Sequence, residues 1–278
     1  MSPKSTDRWL EMVIPKAAFD QEQLVARLTQ YGMLGLQETE ERLEVYFPVS
    51  LKPAMPQIIA DLTGEWPILK PVVREVRDDG WSTRWQEYFK PQIISPRLAI
   101  RPFWEKPIKT VAVEIVLKPG MAFGTGTHAT TRMALLMLEK YLRPQATVLD
   151  AGCGSGILTI AALKLGARRV IAWDIDPDVA DNFHDNLSLN KLSGKAHLNI
   201  GDATNLSDYN FDLIVSNIEC QPNLKLLEAL TRHQNHSPVI FSGLLKEECE
   251  LFSDAVLNYG REIIEKRYED EWLAIVIK

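Results

Sequence analysis

The densest chemical signal in the chain is Asp150-Ala151-Gly152-Cys153-Gly154-Ser155-Gly156, which follows an apolar run and opens a helical one. Glycines let the backbone turn sharply and come close to a ligand, and the free N–H groups of a helix start favour an anionic or electron-rich group. The dinucleotide fingerprint needs a further glycine three positions after its second, and position 157 is Ile157. A phosphate-cradling lysine is missing as well, so the loop is not a P-loop. What remains is an acidic residue, Asp150, followed by Gly152, Gly154 and Gly156. Asp174, 22 residues past Gly152, closes the next apolar run. A carboxylate there can accept both hydroxyls of a ribose, whereas Asp176 is better suited to capping the helix that follows. Asp202 follows the next apolar run and can reach an adenine amino group or serve as a loop residue. Asn217 ends the apolar run Phe211-Asp212-Leu213-Ile214-Val215-Ser216. Its amide offers both a donor and an acceptor, useful for orienting an amine or for closing a turn.

These residues need a sheet whose strand ends bring them together. From Thr147 onward short apolar runs alternate with helical segments. The strands are expected at Val148 to Ala151, Val170 to Asp174, His197 to Ile200, Leu213 to Asn217 and Val239 to Ser242. Helices are expected near Gly156 to Leu165, Val179 to Asn190, Leu224 to His233 and Lys246 to Tyr259. Repeated βα units build a parallel sheet with helices on both faces, and ligands sit at its carboxyl edge. The rhythm changes at the end: Glu262 to Tyr268 and Trp272 to Ile277 read as an antiparallel hairpin closing the sheet. The fold class is therefore α/β, a Rossmann-like, mostly parallel sheet with a small α+β domain ahead of it. That first domain, residues 1–77, reads strand, helix, strand, strand, helix, strand, the ferredoxin-like order. Its second helix, from Met55, is expected to stop near Gly64. Residues 78–109 mix Arg84, Lys90, Arg97, Arg101, Lys106 and Lys109 with Trp81, Trp85, Tyr88, Phe89, Phe103 and Trp104. Such a segment can touch RNA or a partner, or pack as a connector with arginine stems over aromatic rings. The connecting reading is preferred, with the site-bearing domain at 110–278.

Bulk properties narrow the classes. A net charge of −6 argues against a broad basic surface for nucleic-acid backbones. Cys153, Cys220 and Cys249 make no C-x-x-C pair and no metal spacing, which suits a reducing compartment. No apolar run reaches the roughly 18 residues needed to span a bilayer, and Met1 to Asp7 is polar, so a cytoplasmic address without membrane contact is expected.

A longer pattern resembles the PrmA family, methyltransferases that modify large-subunit ribosomal protein eleven. It comprises Pro119-Gly120-Met121-Ala122-Phe123-Gly124-Thr125-Gly126-Thr127-His128-Ala129-Thr130-Thr131 ahead of the glycine loop, and Gly152 to Leu158 in the loop itself. Asp174-Ile175-Asp176-Pro177, Ser216-Asn217-Ile218 and Ser242-Gly243-Leu244-Leu245 continue it, and Trp81 to Trp85, Tyr88 to Pro91 and Arg101 to Trp104 are similar to the family's connecting region. The resemblance covers residues 81 to 245; the first 77 agree only in element order. It implies S-adenosylmethionine as cofactor, held at Thr131, Gly152, Asp174 and Asn217, with Ile175 beside the acidic strand end. Phe123 and Thr125 to Thr127 would lie near the methionine end, and His128 would orient rather than act as a base. The chain departs from the family pattern at Gln86, Ala129, Glu219 and Cys220. Of these, Glu219 lies beside the implied acceptor channel and bears on the acceptor's identity rather than on the reaction.

Methyl transfer from a sulfonium is an in-line displacement, so the protein mainly positions donor and acceptor. An acceptor amine must arrive neutral: a lysine costs roughly 4–5 kcal/mol to deprotonate at pH 7 and an α-amine about 1. An apolar channel and the sulfonium both lower an amine's pKa, so no dedicated base is required. The expected substrate is an amino group of a large-subunit ribosomal protein, recognised by the first domain. An RNA methyltransferase is an alternative, but residues 1 to 75 hold 8 Lys and Arg against 11 Asp and Glu. Tyr46 is also the only exposed-type aromatic on the second hairpin strand, short of an RNA-stacking signature. A non-enzymatic module fits least, given the intact glycine loop with Asp174 and Asn217.

Overall fold

A computed structural model describes residues 8–15, 21–39, 41–77, 89–118 and 128–278, and divides the chain into two compact units between Tyr88 and Phe89. In the first unit the elements are β1 (Arg8–Pro15), α1 (Gln21–Gln30), β2 (Gly35–Glu38), β3 (Arg42–Pro48), α2 (Met55–Glu65) and β4 (Val72–Arg77). The strands pair in the order β2-β3-β1-β4, every pair antiparallel, the ferredoxin-like arrangement read from the sequence. Period-two patterning sets the register: Leu10, Met12 and Ile14 of β1 lie opposite Phe47, Val45 and Leu43 of β3, and all six are buried. Leu24 and Leu28 of α1 and Met55, Ile58 and Leu62 of α2 cover that face. Helix α1 stops at a left-handed Gly32, with Gly32 N–H bonded to the Thr29 carbonyl and Met33 N–H to that of Leu28. These two bonds satisfy carbonyls that the helix end would leave unpaired. Helix α2, in contrast, runs through Gly64 to Glu65. The buried stripe Met55, Ile58, Leu62 outweighs the modest helix penalty of one glycine.

The second unit adds β5 (Gln92–Ile93), β6 (Leu98–Pro102), β7 (Val113–Leu117) and α3 (Ala129–Tyr141). Strands β5, β6 and β7 make a small sheet of their own, to which the described part of the segment 78–109 contributes β5 and β6. Buried Leu98 and Ile100 anchor it in the main core with Ile115 and Leu117. Arg101 is committed internally, paired with Glu114 at 2.9 Å and bonded to the Glu105 carbonyl. Then follow β8 (Thr147–Ala151), α4 (Ile157–Leu165), β9 (Arg169–Asp174), α5 (Val179–Leu189) and β10 (Ala196–Ile200). The chain continues with β11 (Leu213–Asn217), α6 (Cys220–Arg232), β12 (Val239–Leu245), α7 (Cys249–Asn258), β13 (Ile263–Glu269) and β14 (Trp272–Ile277).

These strands form one sheet in the order β10-β9-β8-β11-β12-β14-β13. Strands β8 to β12 are parallel to one another, and β14 runs antiparallel to both β12 and β13. This is the α/β, Rossmann-like class expected, with the closing hairpin turning at Asp270 in the left-handed region. The central strand β11 is buried along its whole length because helices cover both faces. Helix α6 begins at Cys220, four residues before the position read from sequence. Pro222 sits in its first turn, where a missing N–H costs nothing, so the proline there does not delay the start. The order reverses between β8 and β11, which is where open α/β sheets bind ligands.

Phe47 is fully buried between β1 and the two helices of the first unit. Phe47→Ala should lower that unit's stability by about 3–5 kcal/mol, read by urea denaturation with circular dichroism. A loss under about 1 kcal/mol would contradict the packing described.

Candidate functional site

The site is built at the carboxyl ends of β8, β9, β11 and β12. Leaving β8, the chain turns through Gly152, whose N–H bonds to the Trp173 carbonyl at 2.8 Å, and reaches Gly156, the N-cap of α4. Both glycines have φ near +79° and both are pressed by side chains: a Cβ on Gly152 would meet Ile218 Cγ2 at 2.2 Å, and one on Gly156 would meet the Phe183 ring at 2.7 Å. No L-residue fits either position without moving its neighbour. Asp174, at the end of β9, reaches back to this loop: its Oδ2 accepts from Gly154 N–H at 2.8 Å while Oδ1 accepts from Asp176 N–H at 3.0 Å. The carboxylate is half-buried and retains acceptor capacity beyond those two bonds.

Asp150 is fully buried at the end of β8, where Oδ2 accepts from the Thr159 hydroxyl at 2.6 Å and Oδ1 meets no donor among the described residues. Burial raises its carboxyl pKa to about 7, against the opposing pull of the Thr159 hydrogen bonds, and the Asp174 charge adds to the rise. Burial likewise pushes the Cys153 thiol far up, which keeps it protonated and unreactive.

On the other side of the switch point, Asn217 ends β11 at 9% exposure. Its Nδ2 donates to Thr131 Oγ1 at 3.3 Å and its Oδ1 meets no donor among the described residues. Thr131, fully buried, belongs to the first turn of α3, which begins at Ala129. That turn is tied down by Ser242 of β12, whose hydroxyl donates to the Thr130 carbonyl at 2.9 Å. His128 packs its ring edge-on against Trp272 at 4.7 Å, and Arg132 pairs with Glu269. His128 is thus an anchor of the helix start.

The structure brings together Thr131, Asp150, Gly152, Gly154, Gly156, Asp174 and Asn217. Ile175, directly after Asp174, is 75% exposed. Asp202 is exposed beyond β10 and caps a short turn, its Oδ1 accepting from Thr204 N–H at 2.8 Å. Phe123 and Thr127 lie outside the described residues. Sequence reasoning missed the asparagines that hold the site's frame. Asn182 donates to the Lys118 carbonyl; Asn186 accepts from Lys118 N–H at 2.7 Å and donates to the Ser155 carbonyl at 2.9 Å; Asn190 bonds both the N–H and the carbonyl of Val116. Their spacing of four along α5 and its C-cap is a one-face stripe, and that stripe was the available signal. Asn223 and Ser242, single polar residues in apolar surroundings, carry no comparable pattern.

The strand order, the glycine loop bonded to an acidic strand end and the closing antiparallel strand define a class: a Rossmann-like domain of the methyltransferase type. The chain belongs to the ribosomal protein L11 methyltransferase (PrmA) family, which it matches over residues 13–278. It is 37% identical over 206 residues to a ribosomal protein L11 methyltransferase of Clostridium botulinum (strain Alaska E43 / Type E3), covering 73% of this chain and 66% of that protein. It is 39% identical over 209 residues to the protein of that name in Ruminiclostridium cellulolyticum, with the same coverage. The chain thus aligns with just under two thirds of the length of these relatives. The crystal structure of a ribosomal protein L11 methylase from Lactobacillus delbrueckii subsp. bulgaricus superposes with a TM-score of 0.63 at 34% identity, over 68% of this chain and 98% of that one.

The Asp150 carboxyl holds a proton in the fold that the unfolded chain releases above pH about 4. The folded state therefore binds more protons between pH about 4 and about 7, and stability falls as pH rises through that window, by up to about 1.4 kcal/mol per pH unit. Asp150→Asn should flatten that slope. Urea denaturation at pH 5 and pH 8 checks it; parallel pH dependences in the two proteins would refute the titration assigned to Asp150.

Proposed function

We propose that the chain transfers methyl groups from S-adenosylmethionine to amino groups of ribosomal protein L11, on lysine side chains, the N-terminal amine or both. The observation that carries this reading is the buried Oδ1 of Asn217, which meets no donor among the described residues, set at a strand end across the switch point from the Asp174-bonded glycine loop. The cofactor fits the residues present. Its ribose hydroxyls suit the Asp174 carboxylate, and a hydrogen-bond donor suits the buried Asp150 oxygen, which meets none among the described residues. Ile175 offers an exposed apolar surface to the adenine, with Asp202 at the next strand end. Phe123 and Thr127 complete the methionine end in this reading. The bound cofactor supplies a methyl group on a sulfonium, electrophilic enough for direct displacement.

The chain's own residues orient the acceptor. Asn217 Oδ1 accepts a hydrogen from the incoming amine and so turns its lone pair away from the amide, toward the donor. In the structure the Thr131 hydroxyl accepts from Nδ2, which leaves the Oδ1 side of the amide for the amine. Burial of this edge excludes water, and an amine entering it is favoured in its neutral form. In this division of labour residues 110–278 hold the methyltransferase domain, 78–109 connect, and 1–77 recognise the ribosomal protein. Every described residue of the site lies in the second unit, which supports that assignment. Direct nucleic-acid specificity and membrane attachment are not part of the reading: the chain is acidic, and no helix among the described residues is long and apolar enough to cross a membrane. A cytoplasmic site of action accords with a ribosomal partner.

Incubating the protein with radiolabelled S-adenosylmethionine and large ribosomal subunits lacking methylation should label L11; label only on RNA, or on another protein, would overturn the assignment. In the same assay Asn217→Ala should lower kcat and kcat/KM together, by roughly tenfold or more, with cofactor affinity little changed. Wild-type turnover would return Asn217 to a turn residue. Asp174→Ala should weaken binding of S-adenosylhomocysteine by about 2–4 kcal/mol, as expected for losing charged hydrogen bonds. Unchanged affinity by calorimetry would remove Asp174 from the ribose.

A further inference from the structure

Resting on the methyl-transfer reading, we infer that Asn223 is a positioning residue of the site: it fixes the peptide that follows Asn217 and thereby aims the Asn217 amide. Asn223 lies in the first turn of α6 and is fully buried. Its Nδ2 donates at once to the carbonyl of Ile218, at 2.9 Å, and to the carbonyl of Ser242, at 2.9 Å. Both partners are acceptors only, so the nitrogen, not the oxygen, must face them. One amide thus staples the loop after β11 to strand β12.

Two glycines complete the seat. A Cβ on Gly243 would meet the Ile218 oxygen at 2.2 Å, and φ at Gly243 is +81°, in the bulge where β12 shifts register against β14. A Cβ on Gly152 would meet Ile218 Cγ2 at 2.2 Å. Ile218 is therefore held between the glycine loop and β12, with its carbonyl on Asn223. The same strand holds the other partner of Asn217: Ser242 bonds the Thr130 carbonyl, next to the Thr131 hydroxyl that receives the Asn217 amide. Ser242 and Gly243 thus bear on both sides of Asn217, and Asn223 is the link that closes the frame on the Ile218 side.

Stability alone is a poor reason for this asparagine. Its Oδ1 is buried without a donor among the described residues, an arrangement that costs more than an apolar residue of the same size. Positioning explains why an amide sits there: only a group with two N–H donors reaches both carbonyls.

The test compares Asn223→Leu, similar in volume, with the full-length wild type, alone and combined with Asn217→Ala. The folded variant should lose about ten- to a hundredfold in kcat on large ribosomal subunits. Its affinity for S-adenosylhomocysteine should stay within about twofold, because Asp174 and the glycine loop are untouched. In the Asn217→Ala background the same substitution should change kcat less than about twofold, since a residue acting through Asn217 has nothing left to aim. Wild-type kcat in folded Asn223→Leu, or a full multiplicative loss in the double variant, overturns the inference. If Asn223→Leu does not fold, Asn223→Ser, which keeps one donor, carries the same comparison. A readout independent of turnover is the side-chain amide resonance of Asn217, assigned by its absence in Asn217→Ala. It should shift in either Asn223 variant, and an unmoved resonance refutes the inference even if no ribosomal substrate is methylated. The latter result, with a shifted resonance, would sink the functional reading alone.

Discussion

Ile218 occupies the volume that side chains on Gly152 and Gly243 would need. That exclusion joins three strand ends. The glycine loop after β8, the loop after β11 and the bulge in β12 come close only because two of the three backbones carry no Cβ. Everything else at the carboxyl edge is arranged around this contact: Asp174 closes on the loop from β9 through Gly154, and Thr131 closes on Asn217 from α3.

The edge has two kinds of polar group. One kind is satisfied internally and works as frame: Asn186, Asn190, Ser216 and Ser242 each bond backbone groups of another element. The other kind is buried and keeps an oxygen that meets no donor among the described residues, as at Asp150, Asn217 and Asn223. Such oxygens are unfavourable in a protein interior unless a ligand supplies the donor, and those of Asp150 and Asn217 lie at the ends of neighbouring strands on either side of the switch point.

Asp150 illustrates how position rewrites a side chain's chemistry. In the sequence it is an acidic residue ahead of three glycines, indistinguishable from Asp174 in type. In the fold it is fully buried with one hydroxyl for company, and its carboxyl titrates near neutrality. Asp174, in contrast, is half-buried and bonded to two backbone N–H groups.

The βα alternation after Thr147, the closing hairpin and the order of elements in the first unit were legible in the sequence, as was the placing of the glycine loop, Asp174 and Asn217 at strand ends. Each is local: periodicity, turn residues and spacing along one stretch of chain encode it. The run through Gly64, the early start of α6 and the sheet formed by β5, β6 and β7 were not, because burial against distant residues decides them over local propensity. The same holds for the roles of single polar residues. Asn223 has no neighbour in the sequence that marks it, and the sequence left Asp202 open between an adenine contact and a loop residue, without showing that its carboxylate accepts from Thr204 N–H. The sequence by itself determined which strands and loops exist and which side chains they deliver to the carboxyl edge. Only the tertiary structure decided which of those side chains keep a free oxygen, because a hydrogen bond's partner is set by distance in space, and Asn217 meets Thr131 across 86 residues of chain.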